Sequence, residues 1–578
     1  MDNGSKFVFC LFAAMASLMI SGCTTENIRT LPTTTYTIGG TVSGLSGTGL
    51  VLQYNGRNTV SVTANGSFTF STPQYSGFSY NVSVLTPPSS PALQTCTVTN
   101  GSGIATANVT NIQVACTTNA TPTPIPVPTM ALNQWTWVGG SSAANQPGWY
   151  GTLGTASASN SPGARNYAAS WKDATGNLWL FGGASENVGG WCGSEDPLCF
   201  SGISSYYNDL WEFSGDQWTW VAGSNTVDQS GVYGTLGTAA SGNMPGARYG
   251  AASWTDKSGN LWLFGGIGYD STGAQGLLND LWKYSGGQWT WVDGANVVNQ
   301  SGVYGTMGTA ASGNFPGARY GAVSLTDASG NLWLFGGQGC ADFCGAFMND
   351  LWEYTGGQWT WVSGQSVYNP TQPGVYGTQG TPAAGNHPGG RSNSSGWLDS
   401  SGNVWIFGGV GWGSWDGDVA ELNDLWKYSG GMWTWVSGPN ESYANVDETG
   451  TYGTEGTAAS SNTPGSRDSA LSWTDSKGNL WLFGGEGFGS TNQPASPYLN
   501  DLWEFSGGEW AWISGSEVAG QMGTYGTQGT PAAGNVAGAR MGATGWIDAS
   551  GNLWLYGGLG LGSTSQAGFL NDLWVYEP

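Results

Sequence analysis

Short segments of alternating apolar and polar residues, separated by glycine-containing turns, run along most of the chain and predict strands rather than helices. In the C-terminal three-quarters, four such segments recur in one order. The first opens with an arginine, the second ends in two glycines, the third carries a tryptophan and an aromatic residue, and the fourth carries two tryptophans. One copy comprises residues 248–251, 261–264, 280–284 and 289–292. Each copy therefore predicts a four-stranded antiparallel sheet.

Six copies are present. The sequence Asn-Asp-Leu-Trp recurs with its aspartate at Asp209, Asp280, Asp350, Asp424, Asp501 and Asp572. The fourth segment, Trp-Thr-Trp-Val or a near copy, also occurs six times, but its first occurrence, at 135–138, precedes any first strand. The last copy stops at Pro578, after its third strand. We therefore expect residues 135–138 to complete the last sheet and to close a ring, which removes open sheet edges.

The double glycine after the second strand, the tyrosine of the third strand and the spaced tryptophans resemble the kelch repeat over residues 133–578. The resemblance implies an all-β fold, a six-bladed kelch-like β-propeller spanning 132–578. These copies are longer than kelch units of about 50 residues. Their extra length lies in the loops between the second and third strands and between the fourth and first strands, which share one face of a propeller. Variable loops such as 184–207 and 410–422 predict recognition on that face.

Shorter alternating strands fill residues 35–117, as at 36–38, 50–52 and 80–84, and predict a small β-sandwich in front of the propeller. This segment resembles the immunoglobulin-like or prealbumin-like modules of bacterial surface proteins, which implies a spacer. Residues 118–131 contain four prolines at alternate positions and predict a stiff linker.

Near the start of the chain, the positively charged Lys6 precedes an apolar run over 7–20. This run is too short to span a bilayer comfortably and predicts a signal peptide over 1–22. Ile20-Ser21-Gly22-Cys23 resembles the lipobox of bacterial lipoproteins, which implies that Cys23 is acylated and that 23–34 is a lipidated tether. An ordinary cleaved signal is the alternative. Position 24 is threonine rather than aspartate, which by resemblance to enterobacterial sorting favours the outer membrane.

Composition narrows the possible partners. The net charge is −23, and only 14 lysines and arginines are present to meet phosphates, which argues against nucleic acid and against an anionic membrane surface. We expect a monomer that touches the membrane only through its lipid. Export fits the six remaining cysteines, for which we expect three local disulfides: Cys96 with Cys116, Cys192 with Cys199, and Cys340 with Cys344. A metal site is the alternative for the last pair, but no histidine lies near it.

Six of the arginines share one repeat position and should form a ring near the axis: Arg165, Arg248, Arg319, Arg391, Arg467 and Arg540. They have two interpretations. Each guanidinium can be structural, bonded to a repeated aspartate such as Asp280 or to loop carbonyls, or the ring can bind anions such as carboxylates. Most tryptophans belong to the repeat. Among those outside it, Trp191, Trp412 and Trp415 in variable loops, together with Trp149, are candidates for stacking a sugar.

The sequence lacks the catalytic residues that the enzymatic interpretations require. Kelch propellers include copper radical oxidases resembling galactose oxidase, whose copper needs two histidines, but His387 is the only histidine here. A Ser/His/Asp triad meets the same difficulty. The loop carboxylates form no recognisable pair in the sequence: Glu186, Glu195, Asp270, Asp342, Asp416, Asp418 and Glu486. We therefore expect an extracytoplasmic binding module for a glycan, peptide or protein, with no cofactor or metal. The alternative is a carbohydrate-active enzyme, resembling a sialic acid mutarotase or a lyase.

Overall fold

The computed structural model describes residues 34–55, 58–86, 88, 94–118, 131–185, 205–341, 344–367, 371–414, 419–440, 448–491 and 497–578. Over these ranges the chain is all-β, as predicted, and contains no helix. Accordingly, none of the described segments offers a helix long and apolar enough to cross a membrane. The chain divides into two compact units, Met1–Thr121 and Pro122–Pro578. The predicted signal peptide, Cys23 and most of the proline linker lie outside the described residues.

The described residues of the first unit form ten strands around one apolar core that includes Ile38, Leu52 and Val114, none of them exposed. The strands are β1 Thr35–Tyr36, β2 Ile38–Ser43, β3 Leu50–Tyr54, β4 Asn58–Val62, β5 Gly66–Thr69, β6 Gln74–Tyr75, β7 Ser79–Thr86, β8 Gln94–Thr99, β9 Ser102–Ile104 and β10 Val109–Thr118. They form two four-stranded sheets, β5-β2-β10-β8 and β4-β3-β7-β9, and the pair β1-β6. A disulfide between Cys96 and Cys116 joins β8 to β10.

The second unit repeats one antiparallel sheet six times, in the strand order a-b-c-d. Strand a is Ala169–Lys172, Ala252–Thr255, Val323–Thr326, Ser395–Leu398, Leu471–Thr474 and Thr544–Ile547. Strand b is Leu178–Phe181, Leu261–Tyr269, Leu332–Cys340, Val404–Gly411, Leu480–Gly487 and Leu553–Leu561. Strand c is Leu210–Ser214, Gln275–Ser285, Cys344–Thr355, Ala420–Ser429, Tyr498–Ser506 and Ala567–Glu577. Strand d is Gln217–Ala222, Gln288–Asp293, Gln358–Ser363, Met432–Ser437, Glu509–Ser514 and, for the last sheet, Gln134–Gly139.

A two-residue strand, here called the arginine strand, precedes strand a and also pairs with b in sheets two to six. These strands are Arg248–Tyr249, Arg319–Tyr320, Arg391–Ser392, Arg467–Asp468 and Arg540–Met541. In the first sheet a bridge between Asn166 and Ala184 takes this place, followed by the pair Ala184–Ser185 and Ser205–Tyr206.

The turn between strands a and b shows why each repeat folds locally. In the second sheet, Asp256 accepts the backbone amides of Ser258 and Asn260 at 2.9 and 3.0 Å and the indole of Trp262 at 2.9 Å. Gly259 supplies the positive φ of 77° that the turn requires. Burial by itself would raise the pKa of Asp256, but the hydrogen bonds from Asn260 and Trp262 outweigh it and lower that pKa. The aspartate therefore organises the hairpin.

Tryptophans fill the space between neighbouring sheets. Trp289 on strand d of the second sheet lies 5.5 Å from Phe181 of the first sheet and 5.2 Å from Tyr284 of its own, between ring centroids, and is 1% exposed. Equivalent clusters recur around the unit. Burying side chains of this size supplies most of the driving force for stacking the sheets.

The six sheets meet in a closed cycle. Each strand a contacts strand a of the next sheet, and the last contacts the first. Between the arginine strand and strand a, one residue of each sheet donates its amide to the carbonyl of its neighbour, at 2.8 to 3.0 Å, and this cycle also closes. These residues, here called the axial belt, are Tyr167, Gly250, Gly321, Asn393, Ser469 and Gly542, all with φ between 48° and 64°. Strand Gln134–Gly139 pairs with Ala567–Glu577, in the position expected from the chain ends.

Candidate functional site

The six repeated arginines are fully occupied by the protein itself. Arg248 binds both carboxylate oxygens of Asp280, at 2.6 and 2.7 Å, and donates to the carbonyls of Gly246 and Gly265. The other five arginines make the same bonds, and every one is 1% exposed. Although burial alone would lower the pKa of Arg248, the charge of Asp280 raises it, so that the guanidinium stays ionised.

Each of these aspartates is also saturated with donors. Asp280 accepts the hydroxyl of Tyr233 at 2.6 Å and the indole of Trp282 at 2.7 Å, and the equivalent bonds recur in all six sheets. Burial, followed by the charge of Asp280, raises the pKa of Tyr233 far above its usual range. The arginine ring, one of the predicted binding sites, therefore presents no free guanidinium to a ligand.

The residue after each arginine varies among the repeats, with five residue types in six copies. These residues, here called the mouth ring, are Asn166, Tyr249, Tyr320, Ser392, Asp468 and Met541. Successive strand residues point to opposite sides, so the arginine enters its sheet while its neighbour faces the other way. The ring of Tyr249 lies 6.3 Å from Tyr320 of the next sheet and 6.2 Å from Tyr167 of the previous one, between centroids. The mouth ring thus runs around the axis beside the axial belt, at the end where the b–c and d–a loops emerge.

Tyr167 of the axial belt spans three sheets at this mouth. It belongs to the first sheet, its ring lies over Gly542 of the sixth, and its hydroxyl is 2.6 Å from the Ser469 hydroxyl of the fifth. Ser469 donates in turn to the Asp468 carboxylate. A positive φ of 48° is unusual for a side chain as bulky as tyrosine. Below this chain of contacts, the axial belt and the residues that follow it line a cavity of about 160 Å³.

Three carboxylates, here called the acidic row, lie on the open side of the mouth. Asp468 is directly opposite Glu486 on the paired strand, which places both side chains on one side of the fifth sheet. Glu421 belongs to the fourth sheet and is opposite Val410, which is itself opposite Ser392. All three members are partly exposed, and none takes part in the ion pairs found among the described residues.

The acidic row holds unusual protonation states. Burial, followed by the charges of Glu486 and Glu421, raises the pKa of Asp468 to about 8, even though the Ser469 hydrogen bond acts in the opposite direction. Burial and the charge of Glu421 also raise the pKa of Glu486. At neutral pH Asp468 therefore carries a proton, and a carboxyl group of this kind is able to donate or accept a proton or, once ionised, to attract a cation.

The opposite side of the mouth is aromatic and packed. Tyr206, Tyr249 and Tyr320 are at most 6% exposed and belong to one cluster with Ile267 and Phe569. The Tyr320 hydroxyl donates to the Gln338 side chain at 2.7 Å. The mouth is therefore polar and open toward the fourth and fifth sheets and closed toward the second and third.

Two mouth-ring side chains bury polar atoms that lack a partner among the described residues: the Ser392 hydroxyl and both amide atoms of Asn166. Each residue is 1% exposed. Buried polar atoms of this kind are uncommon in proteins, because an unmade hydrogen bond costs about 1 to 3 kcal/mol. Within the described ranges, the mouth ring therefore carries donor and acceptor groups that have no partner.

The other predicted site residues have varied positions. Trp412 is 9% exposed and offers no open ring face, and Trp149 is partly exposed. The structure contains a disulfide between Cys340 and Cys344. Asp270 is a turn residue that accepts amides from Thr272 and Ala274. The remaining predicted residues lie outside the described ranges: Cys23, Glu186, Trp191, Cys192, Glu195, Cys199, Asp342, Trp415, Asp416 and Asp418.

His387 lies in a d–a loop, where its ring nitrogen is 3.0 Å from the carbonyl of Pro388 and 3.3 Å from the Asn349 amide. Among the residues that the structure describes, no group of three or more histidines, cysteines, aspartates or glutamates is arranged to hold a metal ion.

Sequence reasoning noted Glu486 but missed its partner Asp468, as well as Tyr167, Glu421 and Ser469. A signal was present in the aligned repeats. The two positions after each repeated arginine change residue type from copy to copy, and three belt positions hold Tyr167, Asn393 and Ser469 where the others hold glycine.

A cycle of antiparallel sheets around a central axis is a β-propeller-like all-β fold. No known family profile matches the chain, and no curated protein matches it. Among solved structures, the chain is similar to a novel fungal alcohol oxidase of the AA5 family in complex with copper, at 14% identity. That similarity covers 71% of this chain and 74% of the oxidase, with a TM-score of 0.36.

Proposed function

We propose that residues 132–578 form a six-bladed propeller of kelch-like repeats and that residues 35–117 form a small β-sandwich before it. Two observations support this proposal. Six sheets share one strand order, and both the strand a contacts and the axial belt return to the first sheet after the sixth. In the first unit, two four-stranded sheets share one core.

We propose that the protein is an extracytoplasmic binding module and that the mouth beside the axial belt is its ligand site. The ligand is a glycan, or a peptide or protein that presents equivalent polar groups. One observation carries this proposal. In a molecule whose sheets repeat closely, the mouth ring and the axial belt change residue type from copy to copy. It is there that a raised carboxyl pKa, buried polar atoms without a partner among the described residues, and a tyrosine with positive φ occur together.

Screening of the purified full chain on a glycan array tests this proposal. We expect the bound glycans to be lost in Asp468→Asn and Glu486→Gln. A matched control is Glu353→Gln. Glu353 lies beside Asp327, near the a–b turn at the other end of the third sheet, and burial together with the charge of Asp327 raises the pKa of Glu353. Binding that survives both mouth variants would place the ligand elsewhere.

The alternative of a carbohydrate-active enzyme has one specific observation in its favour. Asp468 and Glu486 are neighbouring carboxyl groups, and the high pKa of Asp468 suits a general acid. One-dimensional NMR of each bound sugar would show an accelerated exchange of its anomers. We expect Asp468→Asn to abolish that acceleration if this alternative is correct, and no acceleration by the unaltered chain would exclude an anomer-exchanging activity.

We also propose that Cys23 is acylated, that it anchors a monomeric chain in the bacterial outer membrane, and that Cys192 and Cys199 form a disulfide. Metabolic labelling with a palmitate analogue should mark the unaltered chain but not Cys23→Ala. Peptide mapping without reduction should link Cys192 to Cys199, and free thiols at these two positions would contradict the pairing.

A further inference from the structure

We propose that the mouth binds an organic ammonium group, held by the acidic row against the rings of Tyr167 and Tyr498. This inference rests on the proposed binding function and specifies the chemistry of its ligand. A quaternary amine and an amino sugar are both possible sources of such a group.

The first argument is the placement of charge. Asp468 and Glu486 face the same side of the fifth sheet, and the charge of Glu421 from the fourth sheet acts on both. The six repeated arginines, which would otherwise supply positive charge near the axis, are each bonded to two oxygens of an aspartate. The mouth therefore offers acceptors and negative charge, which oppose an anionic ligand and attract a cationic one.

The second argument is the aromatic border of the acidic row. Tyr498 is directly opposite Glu486 on the strand that follows it, so that Asp468, Glu486 and Tyr498 form one row across three strands. Tyr167 reaches the other end of this row through Ser469. Both tyrosines are partly exposed. Carboxylates with aromatic rings at their edges are the surroundings in which proteins bind ammonium groups.

The third argument is the buried hydroxyl of Ser392. This residue lies between Tyr320 and Asp468 in the mouth ring, and the charge of Asp468 raises the pKa of Tyr320 across it after the larger effect of burial. A tyrosine occupies the same position in the second and third sheets, so the fourth sheet places a much smaller side chain there. Ser392 is 1% exposed, and its hydroxyl has no partner among the described residues. A hydrogen-bonding group without a described partner thus occupies the ring position next to Asp468, independently of the carboxylates.

A cation beside Asp468 favours the ionised carboxylate, so binding should release a proton below pH 8. The groups that face Asp468 are Glu486 on its paired strand, Glu421 from the fourth sheet, the Ser469 hydroxyl, and the hydroxyls of Tyr167 and Tyr320. Burial and the charge of Asp468 raise the pKa of both tyrosines, so they remain neutral in this range. Affinity for a permanently charged ligand should therefore rise from pH 6 to pH 9.

Isothermal titration of the full chain with choline and with glucosamine tests the inference. Each cation has an uncharged counterpart of similar shape, 3,3-dimethyl-1-butanol for choline and N-acetylglucosamine for glucosamine. We expect saturable binding of one or both cations, at least about tenfold weaker binding of the uncharged counterparts, and a comparable loss in Asp468→Asn and Glu486→Gln. Glu353→Gln should bind like the unaltered chain. Choline affinity should increase with pH in the unaltered chain and stay level in Asp468→Asn.

Two substitutions of Ser392 distinguish a specific loss of ligand binding from a loss of folding. Ser392→Phe places a large side chain next to Asp468 and should abolish binding, whereas Ser392→Ala should weaken it only slightly, with thermal unfolding showing that both variants fold. Equal affinity for a cation and its uncharged counterpart would overturn the inference, as would cation binding that the mouth variants leave unchanged. If neither cation binds while array glycans depend on Asp468, the inference fails and the binding function stands. If neither cations nor array glycans bind, both fail.

Discussion

Two neighbouring positions of the arginine strand follow opposite rules. At the first, every repeat has an arginine that is buried and bonded to two oxygens of an aspartate. At the second, the six repeats have five residue types, with tyrosine in two of them, and these residues surround the axis. The two positions are one residue apart on the same short strand, so the difference comes from the side of the strand that each one faces.

The first of these positions stabilises the fold, whereas the second is free to determine which ligand the axis binds. The arginine position closes each sheet onto its own strand c and must be the same in every copy. The mouth ring is under no such requirement, because its side chains face away from the repeated arginine–aspartate pair. A repeat protein can therefore keep a constant scaffold and place a single asymmetric site at its axis.

The largest expected effect concerns closure of the ring. Deleting residues 134–139 removes the fourth strand of the last sheet together with Trp135, which is 1% exposed and packs on Phe483 and Tyr576. We expect the loss to be comparable with the whole stability of a domain, about 5 to 15 kcal/mol, so that the protein aggregates or melts far lower. Replacing exposed Leu132 with serine is the control and should change little. An unchanged melting temperature after the deletion would refute closure through this strand.

The next effect concerns the constant position. Arg319→Leu leaves Asp350 buried without its counter-charge, and breaking such a pair costs about 3 to 5 kcal/mol. Urea unfolding monitored by tryptophan fluorescence would measure this loss. The double variant Arg319→Leu/Asp350→Leu removes both charges and should recover part of it. A cost below about 1 kcal/mol for the single variant would mean that the arginine is not structural.

A smaller effect concerns the variable position and depends on pH. The pKa of Asp468 is about 8 when folded, above the ordinary value of about 3.9, so the folded state holds a proton that the unfolded state has lost. The contribution of Asp468 to the free energy of unfolding is fully present below about pH 4. It is lost as the pH rises to 8, by at most about 1.4 kcal/mol per pH unit. Urea unfolding from pH 5 to pH 8 would measure this slope.

Two variants check the source of that slope. Asp468→Asn cannot titrate and should flatten it. Asp327→Asn should lower stability at every pH without changing the slope, because hydrogen bonds from Trp333 and Asn331 outweigh burial and keep the pKa of Asp327 below its ordinary value. A slope that persists in Asp468→Asn would contradict the assignment.

The smallest effect compares two serines of one repeat. Ser392→Ala removes a buried hydroxyl without a partner in the described chain and should stabilise the protein by about 1 kcal/mol. Ser395→Ala removes a buried hydroxyl that donates to the Ala470 carbonyl at 3.1 Å, and should destabilise it by about the same amount. Thermal unfolding of the two variants would distinguish them, and a loss of stability in both would show that Ser392 has a partner.

Much of the fold could be predicted because the sequence contains six copies of one four-stranded repeat. The recurrence of Asn-Asp-Leu-Trp located strand c, and the unmatched Trp-Thr-Trp-Val at 135–138 located the strand that pairs with Ala567–Glu577. Two of the three predicted disulfides are present, Cys96 with Cys116 and Cys340 with Cys344, because close cysteines on paired strands are brought together by the hairpins themselves.

The candidate site could not be predicted in the same way. Asp468 and Tyr167 are 301 positions apart in the sequence, and only the circular arrangement brings them to one place, through Ser469. The high pKa of Asp468 depends on burial and on Glu421 from another sheet, which no local pattern contains. The arginines, in contrast, looked like a possible anion site because a sequence does not show that each carboxylate partner is already within bonding distance.

The pairing of Gln134–Gly139 with Ala567–Glu577 also sets an order of events during synthesis. Strand Gln134–Gly139 is synthesised first but cannot pair until Ala567–Glu577 has been made, more than 400 residues later. Until then its partner edge is missing, and both the early strand and the sixth sheet present unpaired backbone to other chains. The slowest and most aggregation-prone stage of folding should therefore be the final one, and a chain stalled before residue 567 should retain an open edge however well its earlier sheets have formed.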